Sequence, residues 1–232
     1  MSERLDNLTA AILVGGQGTR LRPVTGDGQK VIAPVAGRPF LFRLLDQLAD
    51  AGLRRVVLCT GHKAGDVVAT VGDNYRDMVV CYSHEETPLG TAGALRHALP
   101  LLDSDPILAM NGDSFCEVDL AALFRAHQAA GTLVVVRAQD TRASGRVVFD
   151  EQHVIQRFDE KQPSAAPGWI SAGTYLLGRA VLESIPGNRP VSIEKETFPA
   201  WVARGLRAFP VRGRFLDIGT PDAYLHAQTQ LP

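Results

Sequence analysis

Ala11–Leu21 reads AILVGGQGTRL. An apolar run passes without a break into Gly15 and Gly16, and then into Gly18, Thr19 and Arg20. Thr9–Val14 has the length and β-branched character of a buried strand. The glycines of Gly15–Gly28 mark a loop at its carboxyl end. In α/β sheets ligands sit beyond the carboxyl ends of strands. Glycines at that edge let backbone N–H groups approach an anion, and successive N–H groups form a phosphate nest. Arg20 and Arg22 add guanidinium groups whose fork matches phosphate.

Moving outward, apolar residues at Phe40, Leu41, Leu44, Leu45, Leu48 and Ala51 recur at helical spacing, with Gly52 as a stop. Arg55–Thr60 reads as a strand, Lys63–Val71 as a helix and Met78–Ser83 as a strand. Thr91–Leu102 reads as a helix and Pro106–Met110 as a strand. Asp119 caps a helix predicted to run to about Ala130, before a strand at Thr132–Ala138. Strands separated by such helices indicate βαβ units and a mostly parallel sheet. The second half is less regular. Arg146–Phe149, Val154–Phe158 and Trp169–Leu176 read as strands without long helices between them. Gln162–Gly168 reads as a loop, and Ser192–Ala203 and Pro221–Gln230 as helices. One α/β domain spanning residues 1–232, with a mixed-sheet extension in its less regular second half, is the economical reading.

The 232 residues carry a net charge of −1, 45% hydrophobic and 21% charged residues. Such a balance has no basic excess for nucleic acid or an anionic membrane, and no apolar run approaches a membrane span. Met1–Leu8 lacks the layout of a signal peptide. Cys59, Cys81 and Cys116 fit neither a disulfide framework nor zinc spacing and read as small core residues. A cytoplasmic location is the expectation. The oligomeric state stays open, with a homo-oligomer among the options.

The loop is not a Walker A loop, because Gly18 is followed by Thr19-Arg20 rather than Lys-Ser/Thr. Nor does it complete the dinucleotide fingerprint, since Leu21 stands where a third glycine belongs. A ligand-free flexible loop remains the alternative. Asp113 and Asp217 read equally well as turn formers or as metal carboxylates, and Gly173 as a strand bulge or part of a site. Lys161 alone reads as a solvated charge, Glu194 alone as a helix first-turn acid, and Thr91 as a helix start or a ligand contact.

Taken in order, these segments resemble the sugar-1-phosphate nucleotidyltransferases, also called sugar-nucleotide pyrophosphorylases. GGQGTRLRPVT at Gly15–Thr25 is similar to that family's signature loop, with Leu13, Gly15, Gly16, Gly18 and Thr19 on the nucleotide. The family continues with Pro-Lys-Pro; here Gln29 and Val31 flank Lys30, so the proline-fixed φ angles are lost. Pro88–Leu95, PLGTAGAL, resembles the nucleoside-holding segment, placing Gly90 and Thr91 there. Asn111-Gly112-Asp113 resembles the strand-end metal aspartate, with Gly112 beside the sugar phosphate. Glu160-Lys161 is similar to the pair near the sugar phosphate. Ser171-Ala172-Gly173 resembles a sugar-binding Asn-Ala-Gly, and Glu194 a sugar-hydroxyl contact. Asp217-Ile218-Gly219-Thr220-Pro221 resembles the second metal motif.

The resemblance implies a Rossmann-like α/β/α sandwich with a central mixed, mostly parallel sheet. It also implies transfer of a nucleoside monophosphate to a sugar 1-phosphate with release of pyrophosphate. Phosphoryl-type transfer relies on positioning and charge neutralisation. The roles expected are Mg²⁺ on Asp113 and Asp217, Arg20 on the leaving pyrophosphate, Lys30 at the α-phosphorus and Lys161 on the incoming phosphate. PLGTAGAL, Ser144-Gly145-Arg146-Val147 and Glu160-Lys161 most resemble D-glycero-D-manno-heptose 1-phosphate guanylyltransferases, then mannose-1-phosphate guanylyltransferases. Guanine's N1–H and N2–H₂ donors suit a carboxylate, and Glu85 and Glu86 precede the nucleoside segment; Glu86 is the expected contact. GTP is therefore the favoured triphosphate. Uridylyl or thymidylyl transfer is the enzymatic alternative, and a nucleotide-binding regulatory module the non-enzymatic one. A single activity is expected, without an appended acyltransferase domain.

Overall fold

The computed structural model describes residues 5–128, 130–141, 145–159 and 166–230. Its first strand, β1 (Thr9–Leu13), lies at the centre of a mixed sheet. β2 (Arg55–Thr60) pairs with it in parallel on one side, followed by β3 (Met78–His84). On the other side lies β4 (Ile107–Asn111), also parallel. Leu13, Thr60, His84 and Asn111 therefore end at one edge of the sheet.

β1 and β2 are buried on both faces, which explains their unbroken apolar runs. Ala10 and Ile12 join Val56 and Leu58 in one core cluster, while Ala11 joins Val57 and Cys59 in the other. The first cluster is covered by α1 (Leu41–Asp50) through Leu41, Leu44, Leu45 and Leu48, all fully buried. Each is worth about 1.5–3 kcal/mol relative to exposure. α2 (Ala64–Val71), which links β2 to β3, joins the first cluster through Val67 and Val71, and behind the other face lies α3 (Gly90–Ala98). The arrangement is the expected sandwich: helices on both faces of one sheet.

The second half adds antiparallel pairing. β5 (Ser114–Cys116) leaves the main sheet, and α4 (Leu120–Ala126) follows, capped by Asp119 through a 2.9 Å bond from the Ala122 N–H. This helix ends earlier than its pattern suggests. His127 is already extended, and its Nδ1 lies 2.9 Å from the Thr132 hydroxyl, turning the chain into β6 (Gly131–Ala138). β7 (Arg146–Phe149) and β8 (Ile155–Asp159) form a hairpin ladder beside β9 (Gly168–Leu177). β9 runs antiparallel to both β4 and β6, with a bulge between Ser171 and Tyr175. Gly173, at φ +72°, occupies that bulge.

α5 (Arg179–Glu183) was hidden in the sequence by its brevity. The stretch expected to be a helix at Ser192–Ala203 is instead a π-type turn (Ile193–Thr197), one α turn (Phe198–Trp201) and a 3₁₀ turn (Val202–Arg204). β10 (Leu206–Val211) pairs with β6 along its length; its other side carries only a short bridge at Arg207 and Ala208, so Pro210 interrupts no second ladder. β11 (Phe215–Asp217) pairs with β5, and α6 (Pro221–Gln230) closes the described chain. Among the described residues no helix is long and apolar enough to cross a membrane. All three cysteines are free, two of them buried.

Candidate active site

A cavity of about 760 Å³ opens at the edge where the parallel strands end. From β1 and its loop it is lined by Leu13, Gly15, Gly16, Gln17 and Arg20; Lys30 and Val31 follow. Gly61 and His62, after β2, form a second backbone wall, and the end of β3 and the segment after it contribute His84, Glu85 and Glu86. Gly90 and Thr91 at the start of α3, Asn111 at the end of β4, Asp113 just beyond it, and Glu194 also line it.

The glycine loop presents donors. No amide from Gly15 to Arg20 donates a hydrogen bond to a described residue. Unpaired backbone donors beside a cavity are the raw material of an anion site. Gly18 and Thr19 belong to this loop without lining the cavity. A side chain at Gly18 would press on Lys30 Cβ at 3.0 Å, so close contact between loop and lysine depends on the glycine.

The two aspartates come together although their sequence positions are far apart. β5 and β11 pair so that Asp217 faces Ser114, and the Ile218 N–H donates to the Asp113 carbonyl at 2.9 Å. The Ser114 hydroxyl lies 3.2 Å from Asp217 Oδ2 and 3.4 Å from Asp113 Oδ1, touching both carboxylates. Asp217 Oδ1 accepts the Gly219 N–H at 2.6 Å. Burial, then the charge of Asp113, push the Asp217 carboxyl above its ordinary range; Gly219, Lys30 and Ser114 oppose the shift. The Lys30 ammonium forms an ion pair with Asp113 Oδ2, so it reaches the cavity as the partner of a carboxylate. Gly112 does not line the cavity. A Cβ there would stand 2.5 Å from the Leu13 carbonyl, so its bare backbone lets β4 close against β1.

The segment expected to hold the nucleoside is braced from behind. Gly90 has φ +73°, and a Cβ there would stand 2.5 Å from the Val191 carbonyl. That carbonyl accepts the Ala92 N–H at 2.9 Å, and the Thr91 hydroxyl accepts the Ile193 N–H at 2.8 Å. The predicted contact residue Thr91 thus spends a lone pair on the brace while still lining the cavity. Gly173 sits outside the lining and packs against Asn111, with a Cβ position 3.0 Å from that side chain. Glu194 Oε1 accepts from the Tyr175 hydroxyl at 3.2 Å, which in turn accepts from Ser171 at 3.1 Å. Glu160 and Lys161, with Ser144, lie outside the described residues.

Glu85 was considered in the sequence, but Glu86 was preferred. The fold holds Glu85 more firmly. Glu86 is exposed, whereas Glu85 is half-buried, accepts the Leu89 N–H at 3.1 Å, and has Oε1 only 2.9 Å from a Cβ position on Gly61. Burial raises its pKa, opposed by Leu89, His97 and His84. Gly61, His62 and Asn111 were missed as cavity residues. Their signal was position, at the carboxyl ends of two predicted strands.

Residues 9–232 match the family described as nucleotidyl transferase. The mannose-1-phosphate guanylyltransferase of Mycobacterium tuberculosis is 38% identical over 229 residues, covering 96% of this chain and 64% of that protein. The mannose-1-phosphate guanyltransferase of Schizosaccharomyces pombe is 37% identical over 228 residues, covering 94% and 62%. The chain therefore spans a little over three fifths of the length of these curated relatives. The crystal structure of HddC from Yersinia pseudotuberculosis complexed with GMP-PN superposes with a TM-score of 0.86 at 31% identity, covering 96% of this chain and 99% of that one. A glycine loop with free amides, a strand-end aspartate meeting a second one across a β bridge, and agreement along nearly the whole chain lead to one assignment: this chain belongs to the nucleotidyl transferase family.

Proposed function

We propose that the chain transfers GMP from GTP to a sugar 1-phosphate, releasing pyrophosphate. The observation that carries this reading is the convergence in one cavity of the free loop amides, Arg20, Lys30 and Asp113, with Asp217 alongside. In the reaction an anionic oxygen of the sugar phosphate forms a bond to the α-phosphorus, and the bond from that phosphorus to the β-phosphate oxygen breaks. The nucleophile is already ionised, so no general base is needed. The loop amides and Arg20 hold the β- and γ-phosphates and take up the charge of the leaving pyrophosphate. Lys30 stands at the α-phosphorus, and Lys161 is assigned to the sugar phosphate.

The paired carboxylates fit a divalent cation. Asp113 and Asp217 crowd one hydroxyl, and the charge on Asp217 is opposed by its neighbour. Among the described residues no group of three or more His, Cys, Asp or Glu could hold a metal alone. That suits Mg²⁺, which takes one or two carboxylates and completes its shell with phosphate and water. When bound there it would screen the repulsion between the two phosphates.

Guanine is favoured by Glu85, whose two oxygens match the N1–H and N2–H₂ donors, and by the guanylyl transfer named for the relatives. The segments PLGTAGAL, Ser144–Val147 and Glu160-Lys161 resemble those of heptose enzymes, whereas the two curated relatives are named for mannose. Both sugars have the manno configuration, and D-glycero-D-manno-heptose 1-phosphate is the proposed substrate, with mannose 1-phosphate the second reading. A matrix of GTP, ATP, UTP and dTTP against heptose, mannose, glucose and N-acetylhexosamine 1-phosphates, read as pyrophosphate, tests it. Turnover with UTP or dTTP equal to that with GTP overturns the base assignment.

A further inference from the structure

Gln29 stands where the resembling family carries proline, yet it is among the most buried polar residues, 2% exposed. Its amide Nε2 donates toward three backbone carbonyls: Val14 at 2.6 Å, Gly16 at 3.1 Å and His62 at 3.2 Å. Two hydrogens serve three acceptors, so one bond is shared. Its Oε1 accepts the Val31 N–H at 3.2 Å, capping the turn that carries Lys30. One side chain thus ties the loop after β1, the loop after β2 and the lysine turn.

The consequence for the loop follows from peptide geometry. In a trans peptide the C=O of one residue and the N–H of the next point in opposite directions. With the Val14 and Gly16 carbonyls drawn inward onto Gln29, the N–H groups of Gly15 and Gln17 are directed away from it. Gly15, Gly16 and Gln17 line the cavity while Gln29 does not. The Gly15 carbonyl is held separately by the His62 N–H at 3.2 Å. A glycine-rich loop has the largest conformational freedom to lose on ordering. An amide that fixes its carbonyls beforehand lowers the cost of presenting its N–H groups to phosphate.

We infer that Gln29 is a positioning residue that orients the loop amides and thereby sets affinity for the triphosphate of the nucleotide. The inference rests on the proposed reading of this cavity as the nucleotide site. The test compares the unsubstituted chain with Gln29→Met, which keeps length and bulk without hydrogen bonds, and Gln29→Pro. The backbone at Gln29, φ −70° and ψ 126°, already suits proline, so the second variant tests the amide without straining the chain. Initial rates are measured against GTP and against sugar 1-phosphate, with calorimetric GTP binding alongside. Both variants are expected to raise the GTP KM and Kd by about tenfold or more while the sugar-phosphate KM moves by less than about twofold. A GTP KM unchanged in Gln29→Pro overturns the inference. So does an equal rise in both KM values, which a merely loosened fold would produce. The two failures separate: an unsubstituted chain that neither binds GTP nor turns over any triphosphate overturns the functional reading itself.

Discussion

The backbone carbonyl of Asp113 accepts the N–H of Ile218 at 2.9 Å, and this bond seats Asp217 beside Asp113. Register does the rest, because Asp217 pairs with Ser114 across the antiparallel β5–β11 ladder. Two carboxylates brought together by backbone pairing cannot drift apart to relieve their repulsion. The site stores an electrostatic cost that a cation would offset.

Asp217→Asn should separate stability from activity. Burial and Asp113 raise the native pKa of Asp217 above the unfolded value, so the native state binds this proton more tightly. Ionised Asp217 therefore costs stability at neutral pH, and that cost is relieved as pH falls through the raised pKa towards the ordinary one. The amide variant should melt higher at neutral pH, with the difference shrinking on the acid side. Its turnover should fall about 10²–10³-fold, as for loss of other electrostatic groups. Melting curves across pH, paired with pyrophosphate release, check both; full activity would remove Asp217 from the proposed metal site.

Glu85→Gln should change which base is accepted. A carboxylate offers two acceptors to guanine's adjacent donors, whereas a carboxamide offers one acceptor and one donor. The GTP-to-ATP ratio of kcat/KM should drop about 10–10²-fold, the range for a charged hydrogen bond of ~1.5–3 kcal/mol. Since burial raises the Glu85 pKa, the parent's GTP KM should rise as pH falls through it. The variant should lack that rise. An unchanged base preference would point to Glu86 or to backbone groups.

Tyr175→Phe removes the hydroxyl of a fully buried residue from a hydrogen-bond chain linking half-buried Ser171 to exposed Glu194. Disrupting such a network should cost about 1–3 kcal/mol, or roughly 2–4 °C per kcal/mol in a domain of this size. Loss of the Tyr175 hydrogen bond to Glu194 should raise the sugar-phosphate KM more than the GTP KM. A larger effect on GTP would place Glu194 on the nucleotide side of the cavity.

Gly90→Ala and Gly16→Ala should fail differently. At Gly90 the methyl group meets the Val191 carbonyl at 2.5 Å in a left-handed backbone, which should cost about 1–3 kcal/mol. At Gly16 a Cβ meets nothing within 4 Å, so stability should move by no more than about 0.5 kcal/mol. The GTP KM of Gly16→Ala should nevertheless rise by about tenfold, because on the proposed reading the methyl group would stand where phosphate approaches the loop. Chemical denaturation and steady-state kinetics on the two variants distinguish the cases.

The residues of the first half already contained the sandwich. Unbroken apolar runs at Thr9–Leu13 and Arg55–Thr60 require burial on both faces. Leucines at helical spacing in Leu41–Asp50 supply one cover. The glycine loop was legible for the same reason: local spacing encodes local structure. What sequence left open depended on contacts between distant segments. Taken by themselves, Asp113 and Asp217 each read equally as turn former or metal carboxylate, and only the β5–β11 ladder shows them side by side. Gln29 looked like the loss of a proline until three carbonyls converged on it. Glu85 and Glu86, neighbours of equal chemistry, were separated only by Gly61 and Leu89 closing around one of them. Chain order alone assigned the glycine loop, the strands and the helices of the first half, because propensity and periodicity act over a few residues; it missed Arg179–Glu183 and read Ser192–Ala203 as a single helix. The partner of each charge and the direction of each loop amide were decided by the packed fold, since long-range hydrogen bonds and burial exist only once the strands have met.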